Sequence, residues 1–158
     1  MMNTLDDAVR EFLSSSRIAV AGVSRGPNSA ANLIYRKLRA TGHPVVATNP
    51  KAQQVEGDPC YPDLGSIPGG VEAVVIATPP QAALQVVREC RELGIRRVWM
   101  HRSIGPGSVS DEAVRFGREN GMRVIAGACP MMFCQPVDFG HRCMHSVLGW
   151  LGRLPKVP

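Results

Sequence analysis

Short apolar runs alternate with amphipathic segments along most of this sequence, and that alternation restricts the chain to a narrow group of folds. Ile18-Ala19-Val20-Ala21-Gly22-Val23 is apolar throughout, as expected of a strand buried on both faces. Strands are also expected over 44–48, 72–77, 96–100 and 122–126, with a shorter one near Cys60-Tyr61. Between them the period changes to that of a helix. Leu5, Ala8, Val9, Phe12 and Leu13 follow a Thr4 cap, and Ala30, Leu33, Ile34 and Leu38 recur before Gly42. Further helices are predicted from Pro79 to Leu93, stopped by Gly94, and from Val109 to Asn120, stopped by Gly121. Strands alternating with helices of about 10–15 residues predict a Rossmann-like, doubly wound α/β fold. The sheet should be mainly parallel, with five to six strands and helices on both faces.

The 158 residues suit a single domain, 1–158, with its core over about 10–130 and a C-terminal helix and basic tail over about 131–158. The terminal helix is expected around Phe139 to Leu151. With 44% hydrophobic and 20% charged residues, the composition is that of an ordinary globular protein. The acidic start, Leu5-Asp6-Asp7, does not resemble a signal peptide, and no apolar stretch approaches the roughly 18 residues of a membrane span. Five cysteines in a chain of this size read as reduced thiols, so a cytoplasmic protein without a membrane partner is expected. The net charge of +5 favours an anionic partner. Nucleic acid is not expected, because the basic residues form no run and aromatics make up only 5%. A negatively charged small molecule fits as well, and homo-oligomerisation stays open.

In an open α/β sheet, ligands sit beyond the carboxyl ends of the strands where the strand order reverses. Three loops therefore matter. Gly22-Val23-Ser24-Arg25-Gly26 follows the first strand and leads into a helix whose first N–H groups can face a phosphate. The second strand ends in Thr48-Asn49-Pro50-Lys51, with no carboxylate to accept ribose hydroxyls as NAD would require. Lys51 instead suits a phosphorylated ribose, which points to the 3′-phosphate of coenzyme A or the 2′-phosphate of NADP. After the fourth strand, Thr78-Pro79-Pro80 offers a stiff apolar wall, although starting a helix also accounts for a proline there.

Taken together, these residues resemble a known family. Gly22-Val23-Ser24-Arg25, Asn49-Pro50-Lys51, Val55-Glu56-Gly57, Tyr61-Pro62-Asp63-Leu64, Ile67-Pro68, Thr78-Pro79-Pro80, Val98-Trp99-Met100 and Cys129-Pro130 stand in the order and spacing of the small stand-alone CoA-binding proteins. Those proteins are similar to the CoA-binding domain of the succinyl-CoA synthetase alpha subunit. The resemblance implies a Rossmann-type domain that binds coenzyme A or an acyl-CoA through Gly22, Val23, Ser24 and Arg25, through Asn49, Pro50 and Lys51, and through Thr78, Pro79 and Pro80. The stand-alone members have no established reaction, and the three loops together lead to the expectation of a non-enzymatic binding module, a carrier or sensor. The chain departs from the family pattern at His101, where Gln is common, and at Gly127-Ala128-Cys129-Pro130-Met131, where a charged segment is common.

Other readings compete. The alternative function is an NADP-dependent oxidoreductase, with His101 or Tyr35 supplying the proton. Gly22-Val23-Ser24-Arg25-Gly26 also matches the G-x-S-x-G nucleophile elbow, with Asp138 and His141 or His145 in the order of a hydrolase triad. Cys129, Cys134, His141, Cys143 and His145 offer zinc-ligand chemistry, but their spacing matches no standard site, and no metal is expected.

Overall fold

A computed structural model describes residues 4–103 and 107–157. The chain runs α1 (Leu5–Leu13), β1 (Ile18–Ala21), α2 (Ala30–Ala40), β2 (Val45–Thr48), β3 (Gln54–Val55), β4 (Asp58–Tyr61), β5 (Ala73–Ile76), α3 (Pro80–Glu92), β6 (Arg97–Met100), α4 (Asp111–Glu119), β7 (Arg123–Ala126) and α5 (Phe139–Trp150). The sheet order is β3-β4-β2-β1-β5-β6-β7, and every pairing is parallel except β3 with β4. This is the expected Rossmann-like α/β fold.

The sheet has seven strands rather than five to six, because the Pro/Gly-rich stretch after β2 folds into an edge hairpin. Its two turn residues, Glu56 and Gly57, both take positive φ, of 51° and 82°. A hairpin of this kind usually announces itself as Asn-Gly or Asp-Gly, and Glu-Gly lacks that signal. Tertiary bonds hold Glu56 there: Asn32 Nδ2 donates to its Oε1 at 2.6 Å and Arg36 at 3.0 Å, both from α2.

The continuous apolar strands separate two cores by parity. Ile18, Val20, Val75, Trp99 and Ile125 face α1 and α2. Ala19, Ala21, Val74, Ile76, Val98, Met100 and Val124 face α3 and α4. Trp99, fully buried, packs edge-on to Phe12 at 5.4 Å and donates its indole N–H to the Gly127 carbonyl at 2.9 Å. Thr4, Ser29, Ser110 and Asp138 cap α1, α2, α4 and α5 with their side chains, which accounts for where those helices begin. Within α2 the apolar period is rotated from the expected one. Leu33 is 41% exposed, whereas Asn32 and Tyr35 are buried at 1% each. Polar partners from the edge hairpin take these two in, leaving Leu33 on the outer face.

Among the described residues, no helix is long and apolar enough to cross a membrane.

Candidate functional site

From β1 the chain steps to β2 on one side and later to β5 on the other, so the order reverses beside β1. The strand ends there are locked together. Gly22 donates its N–H to the Thr48 carbonyl at 3.0 Å, and Ala77 donates to the Ala21 carbonyl at 2.9 Å. Gly22 has φ of 105°, and a Cβ on it would lie 2.7 Å from the Ala77 carbonyl oxygen. Any side chain would therefore push β1 and β5 apart where they open.

One groove opens at this point, and it shares Pro50, Lys51 and Pro62, beyond the ends of β2 and β4, with a second. The first, of about 750 Å³, runs from Gly22 and Thr48 past Thr78 and Pro79 to Ala82 and Val86 of α3. Asp63, Glu89 and Glu92 also border it, so its charge is acidic apart from Lys51. The second, of about 660 Å³, carries Arg25 and Lys51 beside Gln53 and Gln54 and has no carboxylate among the described residues that line it. The lining of the second groove is therefore the more favourable of the two for a polyanion.

The ten residues expected at the site fall into distinct groups. Gly22, Asn49, Pro50, Lys51, Thr78 and Pro79 line the first groove, and Arg25 lines the second. Val23 is fully buried, so its side chain serves the core. Ser24 is engaged internally: its N–H donates to Asn32 Oδ1 at 3.0 Å and its hydroxyl to the Gly26 carbonyl at 3.0 Å. Asn49 donates through Nδ2 to the Val23 carbonyl at 2.9 Å and accepts the Lys51 N–H at 2.8 Å, so it fastens the β1 and β2 loops to each other. Pro80 is the first residue of α3, and it is absent from both grooves. Lys51 and Arg25 are exposed and have no side-chain hydrogen-bond or ion-pair partner among the described residues.

Sequence reasoning missed Asn32. Its side-chain amide donates to the Ser24 carbonyl at 2.8 Å and to Glu56, while its oxygen accepts from Ser24. One buried amide thus ties the loop after β1 to the edge hairpin. The only signal was an asparagine inside a helical run, where its propensity is poor.

Of the two groups considered for proton transfer, Tyr35 is committed to another partner and His101 is buried. Tyr35 donates its hydroxyl to Asp58 at 2.8 Å, and burial together with that carboxylate raises its pKa far above the ordinary range. His101 is 6% exposed, and burial, then the neighbouring His141, lowers its pKa and keeps it neutral. Its Nδ1 is buried without a hydrogen-bond partner among the described residues. Among the described residues no histidine bonds to Ser24, and Asp138 is paired with His141 at 2.6 Å on α5, so the triad is not assembled there. Cys129 and Cys134 are buried and Cys143 is exposed; among the described residues no three His, Cys, Asp or Glu side chains converge as metal ligands.

Comparison with known proteins supports coenzyme A and gives NADP no support. The chain is 36% identical over 73 residues to the ADP-forming acetate-CoA ligase I of Archaeoglobus fulgidus, covering 46% of this chain and 11% of the ligase. It is 29% identical over 126 residues to the alpha subunit of the ADP-forming acetate-CoA ligase II of Pyrococcus furiosus, covering 75% of this chain and 27% of that subunit. The chain therefore spans about a quarter or less of these relatives. A hypothetical protein from Pyrococcus horikoshii OT3 has a similar solved structure, with a TM-score of 0.74 and 29% identity over 81% of this chain and 88% of that one. Residues 16–135, which contain both grooves, match the model of the CoA binding domain, and the chain belongs to that family.

Proposed function

We propose that this protein binds coenzyme A or an acyl-CoA as a non-enzymatic module, a carrier or sensor. One observation carries the reading: a groove holding Arg25 and Lys51, with no carboxylate among the described residues that line it, adjoins the groove at the strand-order reversal of a CoA-binding-domain chain. In this reading the phosphates lie against Arg25 and Lys51, with the 3′-phosphate on Lys51. The uncharged parts of the ligand follow Gly22, Pro50, Thr78 and Pro79. Val23, Ser24 and Asn49 act by holding the loops in shape, and Pro80 by starting α3. The commitment of Tyr35 to Asp58 and the burial of His101 favour binding over proton-transfer chemistry.

Calorimetry and thermal unfolding with coenzyme A and NADP test the reading. Coenzyme A at about 100 times its dissociation constant should add about 2.7 kcal/mol. A stabilisation by NADP with none by millimolar coenzyme A would overturn it. Acyl-CoA incubated with the protein should release no free thiol; catalysed thiol release would replace the carrier or sensor role with a hydrolytic one.

A further inference from the structure

The row of strand ends continues beyond the crevice. Ala21, Ile76, Met100 and Ala126 pair in register across β1, β5, β6 and β7, so the chain leaves the sheet at Gly22, Ala77, His101 and Gly127 side by side. Three strand spacings of about 4.8 Å put the last of these about 14 Å from the first, a span that the extended arm of coenzyme A can cross. At the far end is a separate cavity of about 540 Å³, between the exits of β6 and β7 and the C-terminal end of α5.

Arg102, Arg153 and Leu148 line it together with the chain from Ala126 to Ala128, and no carboxylate among the described residues contributes to the lining. Both arginines are exposed, and their guanidinium groups have no partner among the described residues. They come from different segments: Arg102 follows β6, and Arg153 follows α5. Ala128 has φ of 60°, and its carbonyl accepts the Arg102 N–H at 3.0 Å, which joins the two strand exits at the base of the cavity. Leu148 supplies an apolar surface beside the two charges. A short alkyl segment ending in an anion matches that lining, since guanidinium pairs bind carboxylates by short charge-assisted hydrogen bonds.

We propose that this cavity selects the acyl group, taking the terminal carboxylate of a dicarboxylic acyl-CoA between Arg102 and Arg153. The proposal rests on the coenzyme A reading of the crevice. His101 lies between the two sites in the row of strand ends, and its neutral ring adds no charge to the path.

Calorimetry with coenzyme A, valeryl-CoA and glutaryl-CoA separates the possibilities, because the two acyl chains have equal length and differ in the terminal charge. The wild type should bind glutaryl-CoA about ten-fold more tightly than valeryl-CoA. Arg102→Ala and Arg153→Ala should each remove most of that preference and leave coenzyme A and valeryl-CoA within about two-fold of wild type; the unchanged affinity also shows that the variants are folded. Equal affinity for the two thioesters in the wild type, or a preference that survives in both variants, would overturn the proposal. Free glutarate binding with the same arginine dependence, but without a glutaryl-CoA preference, would make the cavity an independent anion site and overturn the acyl assignment. Failure of coenzyme A itself to bind would instead remove the crevice reading on which the proposal stands.

Discussion

Asn32 and Glu56, 24 residues apart, are joined by a 2.6 Å hydrogen bond from the Asn32 amide to the Glu56 carboxylate. That bond connects the helix after β1 to the turn of the edge hairpin, and Asn32 also fixes Ser24. The shape of the loop beside Arg25 therefore depends on a residue that lines neither groove. Asn32→Ala should leave the Ser24 N–H and a Glu56 lone pair unmatched, costing about 1–3 kcal/mol in urea unfolding. It should also weaken coenzyme A. A variant as stable and as competent as wild type would show that the amide does not organise the loop.

Gly22→Ala should be more damaging than its size suggests. It combines a left-handed backbone with a Cβ 2.7 Å from the Ala77 carbonyl. Strain of this kind costs on the order of 1–3 kcal/mol before the sheet adjusts. Chemical denaturation should show at least that loss, and a neutral result would mean that β1 and β5 separate easily.

Lys51→Glu tests which end of the ligand lies at the cationic groove. Lys51 is exposed, so the fold should tolerate the change. Coenzyme A should lose about ten-fold in affinity, the scale of one charge-assisted hydrogen bond, while dephospho-CoA should change by less than about three-fold. Equal losses would remove the 3′-phosphate from Lys51.

Stability should fall in two stages on acidification. His101 is held neutral by burial, so its folded pKa lies below the unfolded value of 6.5. The unfolded chain therefore binds the proton first, and stability declines as the pH drops below about 6.5. Glu56 is held below its ordinary 4.5 by the Asn32 hydrogen bond and Arg36, and Asp58 below 3.8 by Tyr35 and Arg39. Their contributions are present above those ordinary values and are lost at lower pH, as each folded pKa is passed. Urea midpoints followed from pH 8 to pH 3 should show both stages. His101→Gln should flatten the first alone, and Glu56→Gln should reduce the second alone.

The α/β order, the helix limits and the buried strands were legible in the sequence because each rests on local periodicity and local stop signals. Ile18 to Ala21 is apolar at every position, and Thr4 and Ser29 cap their own helices. The loops carrying Gly22, Lys51 and Thr78 were also legible, since the strands that precede them place them on one edge. Tertiary structure alone decided which side chains in those loops face the grooves. Val23 turns into the core, Ser24 spends its hydroxyl on the Gly26 carbonyl of its own loop, Asn49 spends its amide on the Val23 carbonyl of the neighbouring loop, and Arg25 is left exposed. It also decided the Glu56-Gly57 hairpin and the burial of Asn32 in place of Leu33. Periodicity sees a residue's neighbours within a turn or two, whereas these outcomes depend on hydrogen bonds between segments that meet only after the sheet has formed.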